Sequence, residues 1–145
     1  MTLSNTKEKM NSWNSSLLLN IPIIDKQHEK FFSMFDEISH IKSDTIIADK
    51  AQVERLLKEL SLYTIYHFKT EELLIERSGA TNLKPHQEQH SIFKQKIDKF
   101  INDQSYEDKV LVNELVVFLR NWFIMHINGM DITYLNDVKR YLYKD

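Results

Sequence analysis

The chain is 145 residues long, 42% hydrophobic and 28% charged, with a net charge of -2. That length suits one domain with its own core, and the composition is that of an ordinary globular protein. With no long basic run, neither a nucleic-acid nor a membrane partner is expected, and the absence of cysteine excludes disulfides, thiolate nucleophiles, iron–sulfur ligation and cysteine-type zinc sites.

An arm comes first. Its apolar stretch SLLLNIPII is short, holds Asn20 and Pro22, and has no basic residue just before it. It reads as neither a signal peptide nor a membrane span, so a cytoplasmic location is expected. Two glycines and two prolines leave few tight turns, and no alternating run marks a strand, so the remaining elements are expected to be helices. The first is expected over about 25–41, with Asp25 as candidate N-cap and an inward seam of Ile24, His28, Phe31, Phe35 and Ile38. The second, about 50–78, opens on Asp49 and Gln52 at capping-box spacing and stops at Ser78 and Gly79. Its seam is Val53, Leu57, Leu60, Thr64, His67, Glu71 and Leu74. The third, about 85–102, begins at Pro85 and carries His86, His90, Phe93, Ile97 and Phe100 inward. The connector NDQSYED precedes the fourth, about 108–128, with Val112, Leu115, Leu119, Trp122 and His126 inward; a short segment, 131–143, ends the chain. Short links make neighbouring helices antiparallel. The expected fold is all-α: an up-down-up-down antiparallel four-helix bundle, a single domain over 1–145, with an N-terminal arm and a short C-terminal helical extension.

Each seam holds a histidine where an apolar side chain belongs. Five of the six histidines (His28, His67, His86, His90 and His126) face the predicted interior, and Glu71 joins them. Burying an imidazole or carboxylate without a partner costs several kcal/mol. A lone inward histidine is usually a hydrogen-bonded core residue; a core of Leu, Ile and Phe has no partners for five. One metal centre would satisfy them together. His67 and Glu71 are four apart, as are His86 and His90, so each pair projects from one helix face. His126 and Asp131 are five apart, which a regular helix splays by about 140°. Gly129 lies between them, where the helix could end or bend; spacing alone also allows Asp131 to be a solvated residue past the helix end. His40 is expected at the surface near the end of the first helix. Met34, Met125 and Met130 are expected to fill gaps in or near the core, since thioethers suit softer metals.

In order and spacing these residues resemble the hemerythrins, in particular the single-domain bacterial ones. The resemblance covers about residues 13–135. It rests on Trp13, on Ile24-Asp25-Lys26-Gln27-His28, on His67-Phe68-Lys69-Thr70-Glu71-Glu72, on His86-Gln87-Glu88-Gln89-His90, and on Trp122 with His126-Ile127-Asn128-Gly129-Met130-Asp131. It implies a non-haem centre of two iron ions (Fe2+/Fe3+) that binds O2 reversibly. One iron would take His86, His90 and His126, the other His28 and His67, with Glu71, Asp131 and an oxo or hydroxo group as bridges. Glu72 is expected to point to a different face. Counted against two six-coordinate irons, these ligands leave one position, on the iron with two histidines, for O2; NO and small anions are further ligands of that kind. Phe31, Phe68, Trp122 and Ile127 are implied to line the O2 pocket.

The implied role is O2 storage, delivery (oxygen transport) or scavenging, not enzymatic catalysis. Oxygen-activating di-iron bundles use carboxylate-rich sets with Glu-x-x-His pairs, whereas here imidazoles outnumber carboxylates. Rival readings are an O2 or redox sensor acting through a partner protein, and a di-iron peroxidase or NO-handling enzyme.

Overall fold

The computed structural model describes residues 15–41 and 46–143, the side chains of 46–49 excepted. Trp13 lies outside the described residues. A 3-10 turn, Ser15–Leu17, leads to α1 (Pro22–Ser39), followed by α2 (Ile46–Ser78) and α3 (Leu83–Asn102). A second 3-10 turn, Ser105–Glu107, precedes α4 (Lys109–Gly129), and a third, Asp131–Tyr134, joins α4 to α5 (Leu135–Tyr143). α2 packs against both α1 and α3, α4 packs against α1, and α5 returns onto α2. The four long helices make the antiparallel bundle expected, with the short α5 laid along it.

The helix boundaries show which local signals prevailed. Pro22, not Asp25, opens α1, because a proline fits the first helical position, where the backbone N–H has no helical partner. Asp25 sits within the first turn instead. Its carboxylate accepts the N–H groups of Leu19 at 2.8 Å and Ile21 at 3.2 Å, fastening the arm across the helix start. Asn20 takes the left-handed conformation this crossing needs, at φ 62. The spacing of Asp49 and Gln52 does not mark the start of α2, whose backbone is already helical at Ile46; the Asp49 side chain lies outside the described residues. Nothing in Ile46-Ile47-Ala48 obstructs a helix. α2 ends at Ser78, with Gly79 at φ 78 donating its N–H to Glu76 O at 3.2 Å. α3 opens at Leu83, so Pro85 falls in its first turn, not at its first residue. Asp108 caps α4, accepting from the N–H groups of Val110 at 2.9 Å and Leu111 at 3.3 Å.

The core is aromatic at its centre. Phe31, Phe32, Phe35, Phe93 and Phe123 are fully buried among Leu57, Leu60, Ile97 and Leu119. The expected seams of α1 and α3 point inward, apart from Phe100, which is half-buried. On α4 the seam differs: Phe123 occupies the centre and Trp122 is half-buried beside it. α4 is apolar around most of its circumference, with Val110, Val117 and Phe118 exposed, so periodicity could not single out one inward stripe. Met125 is 75% exposed, contrary to the expectation of a core or near-core residue, while Met34 and Met130 are half-buried. By length and composition the run Lys109–Tyr143 is apolar enough to cross a membrane; its inward residues, from Val112 to Ile127, belong to the bundle core.

Candidate metal centre

Every predicted donor is buried in one place. His28, His67, Glu71, His86 and Asp131 are fully inaccessible, and His90 and His126 nearly so. His28 comes from α1, His67 and Glu71 from one face of α2, His86 and His90 from one face of α3, and His126 from the last turns of α4. Asp131 joins them because α4 stops at Gly129. Met130 N–H closes the helix onto His126 O at 2.8 Å, and the chain tightens into the 3-10 turn whose first residue is Asp131. The five-residue spacing that would splay on a continuous helix thus converges.

The donors form two groups that share a carboxylate. Atoms of Glu71, His86, His90 and His126 lie within 4.8 Å of one another, and so do atoms of His28, His67 and Glu71. Glu71 Oε1 is 2.8 Å from His90 Nε2, 3.7 Å from His126 Nε2 and 3.9 Å from His86 Nε2. Glu71 Oε2 faces the other way, 3.9 Å from both His28 Nε2 and His67 Nε2. Asp131 divides likewise. Its Oδ1 is 2.9 Å from His86 Nε2 and 3.0 Å from His126 Nε2, and its Oδ2 is 3.3 Å from His28 Nε2. Each carboxylate therefore presents one oxygen to each histidine group.

Three of the rings are oriented from behind. His67 Nδ1–H donates to Gln27 Oε1 at 2.6 Å, His90 Nδ1–H to Glu72 Oε2 at 2.6 Å, and His86 Nδ1–H to Asn82 O at 3.2 Å. These partners only accept, so Nδ1 carries the proton and the inward Nε2 of a neutral ring is left with a lone pair. Lone pairs turned toward carboxylate oxygens repel unless a cation or proton lies between them. His67 Nε2 has no hydrogen-bond partner among the described residues, though fully buried. Protons meet this need at some rings and not at others. Burial disfavours a charged His126, yet the charge of Asp131 and its hydrogen bond, with Glu71 behind, push the ring up to about 10. Burial, with His28 adjacent, instead lowers His67 to about 3. Burial alone would raise both carboxylates, but the facing imidazoles hold Glu71 and Asp131 well below the usual carboxylate range. Imidazole and carboxylate donors without thiolate suit iron, zinc or manganese better than a soft metal.

Aromatic rings wall the cluster. Phe31 lies 5.2 Å from the His67 ring, and Phe123 lies 5.4 Å from His28. Phe68 stacks on His90 at 3.7 Å and also lies 5.5 Å from His67. Trp122 stacks on His126 at 4.5 Å. Ile127 is fully buried in the adjoining core. His40 stays outside, exposed at the end of α1, with its Nδ1–H on Asp36 O at 2.6 Å.

Sequence reasoning missed the residues behind the donors: Gln27, Glu72, Asn82, Phe123 and Tyr134. Glu72 does point away from the cluster, but it reaches His90 from the far side. Tyr134 is fully buried, and its hydroxyl donates to Glu71 Oε2 at 2.9 Å. The sequence signals for them were weak: Gln27 and Glu72 are immediate neighbours of donors, and Tyr134 follows Asp131 by one 3-10 turn.

Residues 19–136 match the family model described as the hemerythrin HHE cation binding domain. The chain is 30% identical over 131 residues to a bacteriohemerythrin of Stenotrophomonas maltophilia, across 90% of this chain and 82% of that one. It is 29% identical over 128 residues to a bacteriohemerythrin of Pseudomonas aeruginosa, across 88% of this chain and 80% of that one. A hemerythrin-like protein of Naegleria gruberi shares 27% over 123 residues, with 85% and 89% covered. Among solved structures, a crystal structure of a hemerythrin mutant superposes with a TM-score of 0.77 at 21% identity, covering 87% of this chain and 95% of that one.

Proposed function

Since the chain belongs to the hemerythrin family, we propose that it binds O2 reversibly at a di-iron centre held by His28, His67, Glu71, His86, His90, His126 and Asp131. The observation that carries this reading is the division of both carboxylates: one oxygen of Glu71 and one of Asp131 faces each histidine group. Such a pair of bridges is what two adjacent cations of like charge need. Two irons cycling between Fe2+ and Fe3+ would supply the reversible electron donation that O2 capture requires.

The chain's own residues do the rest. Gln27, Glu72 and Asn82 hold three rings so that their Nε2 atoms face inward. Tyr134 fixes one oxygen of Glu71. Phe31, Phe68, Phe123, Trp122 and Ile127 keep water and solvated anions from the cluster. The phenyl rings of Phe31 and Phe123 stand beside His28 and His67, the half with fewer donors and therefore the half with room for a diatomic ligand. Five neutral imidazoles stabilise high oxidation states of iron less than a carboxylate-rich set does, which favours reversible binding over oxidation of a substrate. The role is O2 storage, delivery or scavenging.

The test is an absorption spectrum of the purified protein, reduced without oxygen, exposed to air and then purged with argon. A new band that forms in air and fades under argon supports the proposal. Irreversible conversion to the diferric form, or no spectral change, rejects it.

A further inference from the structure

The two halves of the cluster are unequal. One brings together four donor residues, Glu71, His86, His90 and His126; the other brings together three, His28, His67 and Glu71. Asp131 adds one oxygen to each half, Oδ1 toward His86 and His126 and Oδ2 toward His28, and so leaves the difference of one donor in place. The outer partners differ in charge. His90 gives its Nδ1–H to a carboxylate, Glu72 Oε2, and His67 gives its own to a neutral amide, Gln27 Oε1, both at 2.6 Å. A carboxylate draws the Nδ1 proton toward itself and leaves Nε2 a stronger donor, which an amide does far less. The larger half is also held more firmly. Phe68 lies parallel to His90 within 2° at 3.7 Å, and Trp122 lies within 12° of the His126 plane at 4.5 Å. Rings already fixed lose less freedom when a cation binds.

We infer that the two halves take up metal in order, the Glu71–His86–His90–His126 group first, and that Glu72 is a positioning residue that strengthens this order. The inference rests on the reading of the cluster as a metal centre. Electrostatics separates the two steps further. A first dication neutralises much of the charge on Glu71 and Asp131, so a second meets weaker attraction and a like charge nearby. Glu72 is well placed for a test because its side chain is 25% exposed, in a cleft of about 440 Å³ where Lys69 of α2 and Gln87 and Ser91 of α3 also lie. The buried rings of Phe68 and His90 line the same cleft, so the replacement should keep the size of the side chain.

Stepwise addition of Co2+ to chelator-stripped protein under argon, followed by visible absorption and calorimetry, reads both steps. The unchanged chain is expected to show two steps of unequal affinity. Glu72→Gln keeps an acceptor for His90 but removes the charge, and should weaken the first step about 10–100-fold while moving the second little. Gln27→Glu gives His67 the anionic partner and should narrow the gap. Circular dichroism of the stripped variants checks that they fold. Two equal steps, or a Glu72→Gln change that weakens both alike, overturns the inference. Saturation at one ion sinks the two-metal reading; the priority of the larger half then stands if Glu72→Gln weakens that ion and falls if it does not. No uptake at all rejects both.

Discussion

Tyr134 Oη donates a hydrogen bond of 2.9 Å to Glu71 Oε2, tying the 3-10 turn after α4 to the last third of α2. The same turn supplies Asp131, so one four-residue segment delivers a donor and anchors the other carboxylate. Burial, with the charges of Glu71 and Asp131 close by, pushes the phenol well above its ordinary range, so it remains a donor.

Tyr134→Phe removes only that hydroxyl and leaves a fully buried carboxylate oxygen without its donor. The expected loss of stability is about 1–3 kcal/mol. It should be larger in chelator-stripped protein than in iron-loaded protein, where cations also neutralise Glu71. Urea unfolding of both forms measures this. Equal losses in the two forms would mean that the bond serves packing of the turn and not the charge of Glu71.

The carboxylates and histidines should differ in what their loss costs. Glu71→Ala or Asp131→Ala removes a group that faces both halves, whereas His28→Ala removes one that belongs to a single half. Two irons per chain are expected in the unchanged protein and a substoichiometric amount in either carboxylate variant. His28→Ala leaves the four donors of the larger half in place and should retain about one iron. Iron analysis of protein purified from iron-replete cells decides it. One iron, or stoichiometric zinc, in the unchanged chain would overturn the assignment.

Stripped of metal, the protein should be most stable near pH 6.5. His126 is raised to about 10 when folded, burial being outweighed by Asp131, so its contribution is complete below 6.5 and is lost as pH climbs through 10. His67 is lowered to about 3 by burial, with His28 beside it, so its contribution is complete above 6.5 and is lost as pH falls toward 3. Glu71 and Asp131, depressed by the imidazoles against the pull of burial, add further acid loss below 4.5 and 3.8. Metal takes the place of the proton on His126, so loading should remove the alkaline decline. Urea midpoints with chelator at about pH 5, 6.5 and 9 test the sign of each arm. A midpoint that rises steadily from acid to alkaline would contradict the role given to His126.

The long helices and the inward donors were legible because burial imposes a period on the sequence, and a polar residue that interrupts the period stands out. His28, His67, Glu71, His86 and His90 were visible for that reason. Asp131 was harder, since its approach depends on a change from α-helix to 3-10 turn that a five-residue spacing does not announce. Glu72 and Gln27 were out of reach because they meet their histidines across helices or from behind, contacts set by how helices are rotated against each other. The same rotation decides between Trp122 and Phe123 on α4, a helix with too many apolar residues for periodicity to choose.

That choice bears on how the centre would be kept dry. Phe123 and Phe31 stand against His28 and His67, while Trp122 lies on His126 in the other half and Ile127 is buried next to it in sequence. If O2 binds on the half with two histidines, Phe123→Ala should speed autoxidation more than Trp122→Ala; the fully buried Phe123 should cost about 3–5 kcal/mol and the half-buried Trp122 less. Ile127→Asn should also speed it, by bringing a polar group into the dry wall. Leu57→Ala is the control. It is fully buried on α2 but ten residues before His67, about 15 Å along the helix, and should cost about 2–5 kcal/mol. Autoxidation is followed as decay of the oxygenated spectrum in air, with each variant held well below its melting temperature. Several-fold faster decay in Phe123→Ala and Ile127→Asn than in Leu57→Ala assigns the wall a protective role. Equal rates in all of them would mean that these side chains only fill the core, and that exclusion of water depends on other groups.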